Sequence, residues 1–102
     1  MGEKYHKLVR DKIPEILDEK GVPYEKRTAT DEEYRVKLLK KFREESDEFL
    51  DAKTPEELAD VLEVIEALRK LPDYADVEKV RIEKRDKRGG FDQKIILRGE
   101  KG

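Results

Sequence analysis

Two pairs of acids stand out: Glu45 with Glu48, and Glu57 with Asp60, each pair three residues apart. On a helix that spacing puts both members on one face. Carboxylate oxygen is the preferred ligand of hard divalent cations such as Mg²⁺, with Mn²⁺ as a substitute. Four carboxylates facing one another cannot all stay ionised without a counterion, because like charges in a partly buried site raise one another's pKa. A divalent cation resolves that conflict. The expected metal ligands are therefore Glu45, Glu48, Glu57 and Asp60.

The elements that carry these acids follow from local signals. Pro14 near its start and Gly21 at its end predict a short helix over residues 14–20. Residues 22–30 read as extended. Thr30 or Asp31 caps a long helix reaching about residue 52. Lys53-Thr54-Pro55 is a tight connection, and Thr54-Pro55-Glu56-Glu57 is a capping box with proline at the first helical position. The next helix runs over residues 55–71 and stops at Pro72. Asp73 opens a last helix to about residue 87, closed by Gly89-Gly90. Lys94 to Arg98 predicts a short strand that could pair with residues 24–28. The fold class is thus all-α: an antiparallel bundle of about four helices, with a small two-stranded β element near the termini. Residues 1–102 form one domain.

On a helical wheel, Tyr34, Leu38, Leu39, Phe42 and Phe49 form an apolar arc on the long helix. Glu45 falls inside that arc and Glu48 at its edge. On the following helix, Leu58, Val61, Leu62, Val64, Ile65, Ala67, Leu68 and Leu71 cover more than half the circumference. Glu57 and Asp60 point into this arc, while Glu56, Glu63, Glu66 and Lys70 share the solvated side. The short loop forces the two helices into a hairpin, so the inward acids meet near one end of the pair. Acids inside an apolar stripe need a partner. Glu44 and Glu56, by contrast, read as solvated.

Composition narrows the chemistry. Charged residues make up 49% of the 102, and only 35% are hydrophobic, which is the balance of a thin core. Some apolar surface is therefore expected to be covered by another subunit. Basic and acidic residues number 24 and 26, for a net charge of −2, so a broad cationic face for nucleic acid is not expected. With no cysteine, one serine (Ser46) and one histidine (His6), thiol chemistry is excluded and a Ser-His-Asp triad is disfavoured. No apolar run is long enough to span a bilayer, and the first residues lack the apolar stretch of a signal peptide. The expectation is a cytoplasmic protein without membrane contact. The excess of Lys, Arg and Glu, with no Asn and one Gln, matches proteins from hot environments.

The pattern Glu44-Glu45-Ser46-Asp47-Glu48 followed by Glu57-Leu58-Ala59-Asp60 resembles the EExxE…ExxD signature of the MazG-like, all-α NTP pyrophosphohydrolase superfamily. The flanking pieces, Lys7-Leu8-Val9-Arg10-Asp11-Lys12-Ile13-Pro14 and Arg88-Gly89-Gly90-Phe91, resemble its single-domain, phosphoribosyl-ATP pyrophosphohydrolase-like branch. The resemblance spans nearly the whole chain. It implies Mg²⁺-dependent cleavage of a nucleoside triphosphate between the α and β phosphates, giving a monophosphate and pyrophosphate, as house-cleaning of non-standard or surplus nucleotides. It assigns the metal to Glu45, Glu48, Glu57 and Asp60, and gives Glu44 a part in orienting water, so that Glu44 and Glu45 are the catalytic candidates. Assembly as a homodimer or homotetramer is implied as well. The separation between the two acidic motifs is shorter here than in many members, which leaves the substrate pocket less defined than the metal site.

Basic groups should hold the phosphates. Lys7, Arg10 and Lys12 flank the first motif, and Lys84 and Arg88 lie near the end of the last helix. Arg grips phosphate oxygens in bidentate fashion. The same cations also suit a helix C-terminus, and Gly89 suits a C-cap. Two rival readings stand beside the house-cleaning enzyme. One is a phosphoribosyl-ATP pyrophosphohydrolase of histidine biosynthesis. The other is a non-catalytic helical interaction module, which has no use for inward carboxylates.

Overall fold

The computed structural model describes residues 6–100. Four α-helices follow in order: α1 (Ile13–Glu19), α2 (Asp31–Ala52), α3 (Pro55–Arg69) and α4 (Val77–Arg88), with a 3₁₀ turn at Pro72–Tyr74 between the last two. The chain is all-α, as the periodicity predicts.

Each boundary has a local cause. Pro14 occupies the first turn of α1. At its end Gly21 takes φ 68°, where Gly21 N–H donates to Asp18 C=O and Val22 N–H to Leu17 C=O at 3.0 Å. That is a Schellman termination, which glycine adopts without steric cost. Thr30 caps α2, its Oγ1 accepting from the Glu33 N–H at 3.2 Å. Arg27 then clamps the Glu33 carboxylate with two hydrogen bonds of 2.6 Å. At the other end Lys53 enters the left-handed region at φ 55°. Thr54 immediately caps α3 by accepting from the Glu57 N–H at 3.3 Å, with Pro55 in the first turn. Two residues therefore separate α2 from α3, and the helices fold back on each other.

The α2–α3 hairpin is the body of the fold. Leu38, Val64 and Leu71 are buried together, with Leu8, Tyr34, Ala67 and Leu68 packed around them. Leu38, at 2% exposure, is the most enclosed. Leu8 brings the N-terminal segment across this core. Arg35 holds Asp73 at 2.7 Å, tying α2 to the 3₁₀ turn. Arg69 holds Glu78 at 2.9 Å, tying α3 to α4.

Three expectations need correction. The helix predicted to open at Asp73 is divided: Tyr74 and Ala75 make 3₁₀-type bonds to Leu71 and Pro72, and α4 starts only at Val77. Asp73 is engaged by Arg35 and provides no side-chain cap. Second, no strand occurs among the described residues. Lys94 has φ 59° and donates its N–H to the Phe91 carbonyl, a turn that interrupts the run toward Arg98. Ile95, Ile96 and Leu97 are 70%, 93% and 91% exposed, and nothing among the described residues pairs with them. Third, the four helices do not close into one compact bundle. The radius of gyration is 18.4 Å, against about 13 Å for a compact chain of this length. Among the described residues only α2 and α3 pack extensively, and α4 makes few contacts with either.

Candidate metal centre

The hairpin turn decides which acids meet. Because α3 begins two residues after α2 ends, the last turns of α2 face the first turns of α3. Glu45 comes from α2; Glu57 and Asp60 come from α3. One carboxylate oxygen from each of these three lies within 4.8 Å of the other two. The Glu45 side chain is 12% exposed. Glu45 Oε2 and Glu57 Oε2 are buried without any hydrogen-bond partner.

Those two oxygens are the anomaly of the molecule. A buried acceptor left without a partner costs about 1–3 kcal/mol, and more when it is charged. The neighbouring cations answer only part of the demand. Arg10 Nη2 donates to Asp60 Oδ1 at 2.7 Å. Lys41 Nζ lies 3.4 Å from Glu45 Oε1, and its side chain is 20% exposed. Both contacts engage other oxygens than the two orphaned ones. A set of three carboxylates with spare lone pairs aimed together offers oxygen ligands alone, the donor chemistry of Mg²⁺ or Mn²⁺. A Mg²⁺ ion held this way would complete its shell with water and substrate oxygens.

The remaining expected residues fall outside this trio. Glu48 is exposed at the margin. The Glu45 carboxylate, by charge and by hydrogen bond, pushes the Glu48 pKa above its ordinary value; desolvation and Glu57 add to the push, and Lys41 opposes it. Glu48 thus shares the field of the cluster. Glu44 is exposed and lines a small cleft beside Lys7, Lys40 and Lys41. Arg10, expected at the phosphates, pairs with Asp60. Lys12 is exposed just before α1. Lys84 and Arg88 are exposed on α4, which packs extensively on neither α2 nor α3, so within one chain they are not brought to the acids.

Comparison with protein-family models, with curated proteins and with solved structures finds no match to this chain. The site therefore stands on its own geometry. One participant escaped the sequence reading. Lys41 shares a face with Leu38 and Glu45, at spacings of three and four, so helical periodicity places it on the buried side. Attention to the acids alone passes over the cation that sits among them.

Proposed function

We propose that Glu45, Glu57 and Asp60 hold a divalent cation, Mg²⁺ by preference, and that the chain is a nucleotide pyrophosphohydrolase of the MazG-like kind. The single observation that supports this most is the pair of buried, partnerless oxygens on Glu45 and Glu57. Glu48 stands close enough to join the shell or to accept a proton, and Glu44 is available on the solvent side. The substrate class, a nucleoside triphosphate cut between its α and β phosphates, comes from the resemblance of the acidic motifs and their flanks.

Bound there, the cation would neutralise phosphate oxygens and activate water. The chain's own residues do the rest. Glu45, Glu57 and Asp60 position the ion from two rigid helices. An exposed carboxylate at the margin, Glu44 or Glu48, takes the proton of the attacking water. Arg10, now on Asp60, is within reach of an incoming phosphate once a cation takes over the Asp60 charge.

The proposed enzyme is a homodimer or larger. The accessible surface is 9992 Å², whereas a folded monomer of 12.0 kDa presents about 6,000 Å². Val36, Leu39, Phe42 and Leu50 form an exposed stripe on α2, and Leu58 and Leu62 an exposed pair on α3. A second hairpin against these faces would cover surface on the scale of an obligate interface.

The test has two arms. Thermal unfolding with and without MgCl₂ should show stabilisation by metal that Glu57→Gln and Asp60→Asn abolish. A nucleoside triphosphate panel should then release pyrophosphate in the wild type only. If metal leaves the wild-type melting temperature unchanged and no nucleotide is cleaved, the acids belong to a structural ion-pair network and the interaction module is the better account.

A further inference from the structure

The cleft between residues 6–8 and the face of α2 gathers cations. Lys37, Lys40 and Lys41 stand at helical spacings of three and four, so they share that face. Lys7 comes from the opposite wall, and Glu44 is the one acid of the lining. Like charges one turn apart disfavour a helix by a few tenths of a kcal/mol per pair. Lys37 is committed to the cleft's architecture, since its Nζ donates to the His6 carbonyl at 2.9 Å and pins the N-terminal segment. Among the described residues no carboxylate pairs with Lys40. Leu8, packed against the buried core, supplies an apolar wall, which lowers the local dielectric and strengthens attraction for an anion.

The cleft adjoins the carboxylate trio through Lys41, which lines it and also reaches Glu45 at 3.4 Å. Along α2, Lys41 lies about 6 Å and Lys37 about 12 Å from Glu45 at 1.5 Å per residue. The cleft is small and open, about 40 Å³, far below the range of pockets that enclose a whole drug-sized ligand. It suits a compact anion rather than a nucleoside.

We propose that this cleft is the polyphosphate seat: the terminal phosphates of the substrate, and afterwards the pyrophosphate product, lie against Lys37, Lys40, Lys41 and Lys7. The direction of the substrate follows, and this part depends on the metal reading above. The α-phosphate lies at Glu45, Glu57 and Asp60, and the chain of phosphates runs toward the N-terminal half of α2. A cation on the trio takes up the Glu45 charge and leaves the Lys41 ammonium for a phosphate oxygen. Lysine, a point charge on a flexible stem, fits a freely rotating terminal phosphate better than a fixed fork would. The nucleoside is left to surfaces outside the cleft.

The experiment is calorimetric titration of the full-length protein with inorganic pyrophosphate, in MgCl₂ and separately in EDTA. The Lys37→Gln/Lys40→Gln double variant should bind at least tenfold more weakly in both media. Its stabilisation by Mg²⁺ alone should equal that of the wild type. Lys84→Gln/Arg88→Gln is the comparison, and it should bind as the wild type does. Lys37→Arg/Lys40→Arg, which keeps both charges, should restore most of the affinity. No pyrophosphate binding by the wild type, or equal binding by Lys37→Gln/Lys40→Gln, overturns the seat. Absence of any Mg²⁺ stabilisation, with lysine-dependent pyrophosphate binding retained in EDTA, overturns the metal reading and leaves the anion seat standing.

Discussion

Replacing Glu45 with Gln removes one negative charge from the trio while keeping the side chain's size. The ligand oxygens of Glu57 and Asp60 lie within 4.8 Å of the Glu45 ligand oxygen. At an effective dielectric near 20, each repels a unit charge there by about 3.5 kcal/mol. On the same scale Lys41, at 3.4 Å, attracts it by about 5 kcal/mol. The balance opposes folding by about 2 kcal/mol, reduced further because Arg10 already offsets Asp60. The Gln amide can also donate to a buried carboxylate oxygen, which the native side chain cannot. Glu45→Gln should therefore be more stable than the wild type by about 1–2 kcal/mol in metal-free buffer. For a domain of this size each kcal/mol corresponds to a melting shift of about 4–8 °C. In MgCl₂ the order should reverse, because a ligand at a hundred times its Kd stabilises the wild type by about 2.7 kcal/mol and the variant has lost a ligand. Thermal unfolding in EDTA and in saturating MgCl₂ measures both. A variant that melts below the wild type in EDTA would refute the reasoning, since Glu45 would then be a net structural partner of Lys41. Equal Mg²⁺ shifts in the two proteins would refute it equally.

Lys53→Gly should stabilise the hairpin by about 0.5–1 kcal/mol, because φ 55° is strained for lysine and free for glycine; urea unfolding gives the number. The pKa values of Glu33, Asp73 and Glu78 are lowered by hydrogen bonds from Arg27, Arg35 and Arg81. Their stabilisation is full above the ordinary values near 4 and is lost as pH falls through the lowered ones; melting curves from neutral to acid pH should decline there, and Arg35→Gln should flatten the Asp73 share. Glu48 acts with the opposite sign, since its raised pKa makes acidification relieve repulsion in the metal-free protein. Leu39→Glu/Leu62→Lys, on two exposed apolar positions, should shift the light-scattering mass from a dimer or larger to one chain; an unchanged mass would place the interface elsewhere.

The hairpin was legible because its signals are local. Thr30 and Thr54 cap helices and Pro55 starts one by chemistry that acts within four residues, and each does so here. The inward direction of Glu45, Glu57 and Asp60 was legible because helical periodicity fixes facing once the loop is short. What depends on the rest of the chain was less so. The division of the helix after Pro72 turns on Arg35 holding Asp73 from 38 residues away. The apolar run at residues 95–97 has strand composition, but composition names no partner, and none lies among the described residues. On the wheel Glu48 sits at the edge of its arc and Glu57 inside its own, and in the structure Glu48 is exposed and Glu57 half-buried. They differ because the Thr54 cap fixes the Glu57 backbone inside the hairpin while Glu48 faces its open side.

The thin core and the acid cluster have a common cause. With four buried apolar side chains among the described residues, one face of each hairpin helix is free of the demand to pack. Apolar positions such as Leu39 and Leu62 then stay uncovered within the chain, while Glu45 and Glu57 place charge where a larger core would exclude it. The cations nearby limit the repulsion without ending it: Arg10 engages Asp60 Oδ1 and Lys41 lies beside Glu45 Oε1, while Glu45 Oε2 and Glu57 Oε2 stay without a partner. A protein selected only for stability would pair those oxygens or replace them with leucine. Keeping them unpaired between two capped, rigid helices makes sense where a mobile cation is to be received and released, and where the lysine that balances them beforehand stands at the mouth of an anion cleft.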